Sequence, residues 1–376
     1  MKRNTKNRSK QKKQANQARG EKLHLLNVRW KDRKRAERKH FCEENAFWNE
    51  QNKKKVRHIY DEKKYKRFTR RNAPIDFSII GNPEKVISFC NDLRRDYHRQ
   101  KKVFVNLEKV NNVTNESLGL LVSNMMLFQN SNLDFDGNFP NDDKSKAIVV
   151  LSGFLQTLYS RKRKSVQNIS NAIYTHSTLK PNSDLIAALM DSCSKFLWGQ
   201  ICDCDGLYNA LIELMLNTYE HADEIEGRQK WWVTMTKDKE NEKVTFSFID
   251  YGRGIITTLR NAQNKRHRSI VTKILIRLGD VVNSSALLLK EVLEGALIIS
   301  EKEGSNYGNG LHSIYDDMQD NRLDNVIIIT NNVYADLKNE NYQMMNVSFP
   351  GTFVSFEINK NTIHGNQCSN TIYPNT

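Results

Sequence analysis

The stretch DGLYNALIELMLNTYEHA, Asp205 to Ala222, decides how the C-terminal half of this chain is read. Its apolar residues recur at helical spacing, so it predicts a helix, with Glu213, Asn217 and either Glu220 or His221 on one face. A carboxylate and a carboxamide one turn apart can hold a metal ion and a water. Working outward, the β-branched and aromatic run KVTFSFI predicts a strand that gives way to DYGRGI, Asp250 to Ile255, where Gly252 and Gly254 let the backbone turn. Further on, NYGNGL, Asn306 to Leu311, puts Gly308 and Gly310 at the start of another helix. Unpaired amides and the positive dipole end favour phosphate there. Each string has a plainer reading: a solvated helix face for Asn217 and Glu220, a helix-end residue for His221, an ordinary turn for DYGRG. All of these must hold at once to defeat the reading as one Mg-ATP site.

The ordered set resembles the Bergerat (GHKL, histidine-kinase-like) ATP-binding fold, over about residues 165–360. That fold is shared by gyrase-type topoisomerases, ATP-driven chaperones, mismatch-repair ATPases, histidine kinases and anti-sigma-factor kinases, and the last branch is the nearest. The resemblance implies ATP and Mg2+ as cofactors and an α/β sandwich with a mixed sheet under helices. It makes Asn217 the magnesium ligand, Glu213 the base or water-orienting catalytic carboxylate, and Asp250 the acceptor for the adenine amino group. Gly252, Gly254, Gly308 and Gly310 then flank the nucleotide, with His221 and Leu311 beside it. The string GTFVSFEI adds Thr352 at the start of a last strand, where the family's threonine supports adenine through water.

Charge divides the chain sharply. Residues 1–72 hold 26 Lys or Arg against 8 Asp or Glu, and the remainder holds 32 against 35, so the whole net charge of +15 lies in the N-terminal fifth. The first twenty residues have almost no apolar content and read as disordered, and later basic runs interleaved with Trp30, Trp48, Tyr60 and Phe68 read as partly helical. Such an arm, 1–72, suits contact with nucleic acid through phosphate neutralisation and stacking. A membrane surface or an acidic protein partner is the electrostatic alternative, and a solubilising basic tail the bland one. No window approaches the length of a membrane span and the N-terminus lacks a signal-peptide apolar core, so a cytoplasmic protein is expected. Six scattered cysteines read as reduced thiols, and Cys202 and Cys204 have no second pair at zinc-finger spacing.

Residues 73–158 predict a separate α/β unit. The strand-like APIDFSII leads into a helical PEKVISFCNDLRRDYHRQ, a buried-strand run KVFVNL and a helical NESLGLLVSNMMLF, which assemble naturally as a right-handed βαβ crossover. Order and spacing resemble STAS domains, the small partners of anti-sigma kinases. At the place of that family's phosphorylatable serine stand Thr114, Asn115 and Glu116, with Ser117 late, so the resemblance implies a structural or docking unit. Asp134, Asp136, Asp142 and Asp143 read as a solvated acidic connection. Residues 159–360 form the ATP domain, opening with two helical stretches around RKRKSVQNISNAI and LKPNSDLIAALMDSCSKFLWGQ, and 361–376 a tail. Residues 259–305 supply a lid of two helices followed by a mobile EKEGSNYG.

Three uses of ATP remain open. None of the nine histidines is followed by an acidic residue, which argues against a sensor histidine kinase, and only 18 residues follow Ile358, short of a gyrase-like transducer. An ATPase acting as a nucleotide-gated switch is the favoured reading, in a context such as bacterial stress or antiviral defence. An anti-sigma-like serine/threonine protein kinase is the second, and a non-hydrolysing binding module the third. Members of the resembled fold often dimerise, so a homodimer is among the expected partners.

Overall fold

The computed structural model describes residues 65–152, 172–176, 181–221, 231–261, 265–279, 283–297 and 309–362, with backbone alone for 172–176, 220, 221, 265–267 and 309. Residues 1–64 of the basic arm, the EKEGSNYG stretch expected to follow the lid helices, Gly308 within it, and 363–376 of the C-terminal tail lie outside the described residues. Among those described, nine helices surround parallel and antiparallel sheets in an α/β arrangement.

The N-terminal strands β1 (Thr69–Asn72), β3 (Val103–Asn106) and β5 (Phe135–Gly137) form a parallel sheet in that order, and β2 (Asp76–Phe77) pairs with β4 (Asn112–Val113). The predicted strand APIDFSII is thus reduced to two residues. Pro74 has no N–H to give a ladder, and the Ile75 carbonyl is taken by the amides of Asn111 and Asn112. The partner of β3 comes instead from the last residues of the basic arm. There Arg71 donates to the buried Asp96 at 2.6 Å, so part of the arm's charge is an internal ion pair. Although burial pushes the Asp96 carboxyl up, the Arg71 hydrogen bond and charge hold it below the usual carboxylate range.

Helix α1 (Pro83–His98) starts on proline with Glu84 in its first turn and Arg95 and His98 in its last, matching the helix dipole. Helix α2 (Asn115–Asn130) is capped by Thr114 and buried on almost every side from Glu116 to Phe128, the pattern of a helix enclosed between layers. Ser117 is fully buried and its hydroxyl accepts the Ile79 amide at 2.8 Å, so this hydroxyl belongs to the fold's own hydrogen bonding. The acidic connection is likewise structural: Asp134 holds Lys102, Asp136 accepts from Tyr65, and Asp142 caps α3 (Asp143–Leu151).

The C-terminal half is built on a five-stranded sheet, ordered β6 (Ala172–His176), β7 (Trp231–Asp238), β8 (Lys243–Asp250), β10 (Asn341–Asn359) and β9 (Asp324–Asp336). Every described pairing in it is antiparallel, which corrects the expected mixed sheet. The cause is local. Two tight turns of the same D-x-x-N-E form join β7 to β8 and β9 to β10, and a short hairpin can only be antiparallel. In the first turn Asp238 accepts from the Asn241 amide and side chain; in the second Asp336 does the same with Asn339. The following Glu242 and Glu340 take the left-handed conformation, at φ 51° and 49°. Ala172 and Ile173, expected to end a helical stretch, belong instead to strand β6, consistent with the β preference of Ile173, Tyr174 and Thr175.

Both faces of this sheet are apolar because both are covered. Phe246, Phe248, Val354 and Phe356 face helices α4 (Ser183–Trp198), α5 (Asp205–His221), α6 (Ile255–Arg260), α8 (Ser284–Leu293) and α9 (Asn309–Gln319). Trp232, Ile249, Ile329 and Phe353 face α1 and α2 on the other side, in one continuous cluster with Leu93, Leu118 and Phe128. Polar ties reinforce that docking: Asn91 donates to the Ser348 carbonyl, and Glu84 accepts from the Asn346 amide. Helix α7 (Lys265–Leu278) packs with α8 in a smaller cluster of its own around Val271, Ile274, Leu288 and Val292.

Candidate functional site

Asp250 closes β8, and the register sets Thr352 of β10 directly opposite it, with Thr330 of β9 opposite Thr352 in turn. The Thr352 amide donates to Asp250 Oδ1 at 2.5 Å. Thr352 is not at a strand start as expected. It lies inside the 19-residue β10, just past two register shifts, and Gly351 makes the passage. Gly351 has φ 145°, and a Cβ there would overlap the Asp250 carbonyl oxygen. Gly252 keeps the other side of the carboxyl open, since a Cβ at that position would stand 3.3 Å from Asp250 Oδ2.

The loop after Asp250 is held from β9. Thr330 donates its hydroxyl to the Gly351 carbonyl at 3.1 Å and accepts the Ile255 amide at 2.8 Å. Asn331, left-handed at φ 51°, donates to the Arg253 carbonyl and the Thr257 hydroxyl and accepts the Thr257 amide. Gly254 is required beside it: its φ is 74°, and a Cβ would stand 2.5 Å from the Asn331 carboxamide. Thr330 and Asn331 thus satisfy the Ile255 and Thr257 amides at the start of α6, and this glycine box shapes the loop.

That second box meets the helix that opened the sequence reading. Gly310, buried at the start of α9, lies so close to Glu213 that a Cβ would overlap the carboxylate. Asn217 is one turn further along α5, and both side chains are half-buried. One turn before Glu213, Asn209 donates to Asp317 at 3.3 Å and ties α5 to α9 again. Leu311 packs against both the main core and the α7–α8 cluster, linking the box to the expected lid. His221 ends α5, with its side chain outside the described residues, as is Gly308 altogether.

The structure therefore brings Asp250 together with Thr352 and Gly252, and Glu213 with Gly310. In comparisons with known proteins, no family model, no curated protein and no solved structure matches the chain. Sequence reading missed Thr330, Asn331 and Gly351. Only Gly351 left a signal, the Pro350–Gly351 pair that interrupts a strand-like run.

Burial is the main influence on the Asp250 carboxyl, opposed by the Thr352 hydrogen bonds, and lifts its pKa to about 6. The native state thus keeps this proton to higher pH than the unfolded chain. Its contribution to stability is complete below pH ~4 and is lost as pH rises through about 6. With a discount for the residue's partial exposure, Asp250→Asn should be about 1–2 kcal/mol more stable than wild type at pH 7.5, and equal to it near pH 4. Urea melts at the two pH values check this, and a variant less stable at both contradicts it.

Proposed function

We propose that this chain binds Mg-ATP through a Bergerat-type domain and acts as an ATPase whose nucleotide state switches its conformation. The observation that carries the reading is the cross-strand pair of Asp250 and Thr352. One carboxyl oxygen is held by a backbone amide, and the other lies beside Gly252, which has no side chain to cover it. That geometry suits acceptance of an exocyclic amino group, as the adenine edge presents. The ionised form is the better acceptor, so binding should strengthen as pH rises through about 6.

At the phosphate end, Gly310 at the start of α9 offers backbone amides to anionic oxygens. Asn217 would hold the magnesium ion, which when bound neutralises phosphate charge. Glu213 orients and deprotonates the attacking water, so that the terminal phosphoryl group passes to water and ADP leaves. Helix α7 supports the switch, because among the described residues it packs only in the small cluster with α8, while α8 stays anchored in the main core through Ala286, Leu289 and Leu293, so α7 can move without opening that core. The N-terminal strands with α1 and α2 act as a STAS-like docking unit, and the basic residues preceding 65 as the arm that meets nucleic acid or an acidic partner.

Incubation with γ-labelled ATP tests this. Free phosphate is expected from wild type, and Glu213→Ala should lower turnover by about 100- to 10,000-fold while binding persists. Labelled protein in place of free phosphate would establish the kinase reading instead, and neither product would leave a binding module.

A further inference from the structure

Tyr251 follows Asp250 directly but belongs to the other side of the sheet. It is buried in the cluster formed with α1 and α2. Its hydroxyl lies 2.6 Å from Ser123 Oγ and accepts from Asn124 Nδ2 at 3.0 Å. Ser123 spends its only proton on the Leu120 carbonyl, so Tyr251 must be the donor in their contact. Both hydrogen-bonding roles of the tyrosine are thereby filled by α2. From α1, the Arg94 guanidinium sits 4.1 Å over the ring centroid. The ring also meets Trp232 edge-on and lies beside Phe349. Gly351 passes against both the Asp250 carbonyl and the Tyr251 Cα, so the backbone of these two residues is clamped as one piece.

We propose that Tyr251 is a positioning residue that couples occupancy of the Asp250 site to helices α1 and α2, making the N-terminal unit a second output of nucleotide binding besides the lid. This rests on the nucleotide reading above. A ligand that fixes Asp250 also fixes the peptide leading into Tyr251. Any shift of Tyr251 breaks buried bonds to Ser123 and Asn124, whose other partners lie within α2 itself. Coupling of this kind is reciprocal, so a partner docked on the N-terminal unit changes nucleotide affinity by the same factor.

Hydrogen exchange of the full chain with and without saturating Mg-ADP is the test. In wild type, nucleotide should slow exchange across residues 115–130 by about 5-fold or more, the lower bound of ordinary allosteric coupling. Tyr251→Phe keeps the ring and removes the hydroxyl. It should bring that slowing below about 2-fold, the residue of coupling left when the linking bonds are gone. Ser123→Ala removes one of the two hydrogen bonds from the other side, leaving that from Asn124, and should weaken the slowing in the same direction if Tyr251→Phe fails to fold. Equal slowing in wild type and variant, or nucleotide bound with no slowing in wild type, overturns the inference alone. Wild type that binds no nucleotide overturns the nucleotide reading together with it.

Discussion

Gly351→Ala is expected to destabilise the fold by about 3 kcal/mol or more, at the severe end for a single substitution. Two costs combine. The backbone is at φ 145°, where an L side chain is strained, and the added methyl would occupy the position of the Asp250 carbonyl oxygen, which cannot swing aside as a flexible side chain could. Relief would require β10 to leave β8 where Thr352 opposes Asp250, so whatever folded protein remains should also lose the site. Urea denaturation gives the number, and a loss below about 1 kcal/mol, an ordinary value for a tolerated substitution, would show that the strand passes Asp250 differently.

The largest effect on binding is expected from Asn217→Ala. A residue that merely orients a metal ligand is worth 10- to 100-fold in affinity, so removing the ligand should weaken magnesium-dependent nucleotide binding by about 100-fold or more. The residue is half-buried on a helix that continues for another turn, and alanine is the best helix former, so the fold should tolerate the change. Calorimetric titration with and without chelator separates the two contributions. Unchanged affinity with magnesium would remove Asn217 from the site.

Local signals made the helices and the central strands legible. Pro83 and Glu84 announce α1, the apolar period of α5 places Glu213 and Asn217 together, and KVTFSFI reads as β8 down to Asp250. Strand β1 was hidden because Arg70 and Arg71 read as part of a solvated basic run, whereas Arg71 pairs with an aspartate 25 residues away. Thr330 and Asn331 were hidden for a related reason. They act on a loop about 75 residues earlier, through a β9 register that no short window contains. The docking of α1 and α2 on the sheet was equally non-local, although Tyr251 stood in the open within the DYGRGI string.

Thus Asp250 binds the reading together: it faces the candidate ligand with its carboxyl and, through the next residue, the N-terminal helices. Competitive titration of wild-type protein with Mg-ATP and Mg-GTP tests that centre most directly. A carboxylate acceptor on the base edge predicts saturable binding of ATP and discrimination against GTP of about 10-fold or more, because guanine presents a carbonyl where adenine presents its amino group. Absence of saturable ATP binding, or equal affinity for the two nucleotides, would contradict the account.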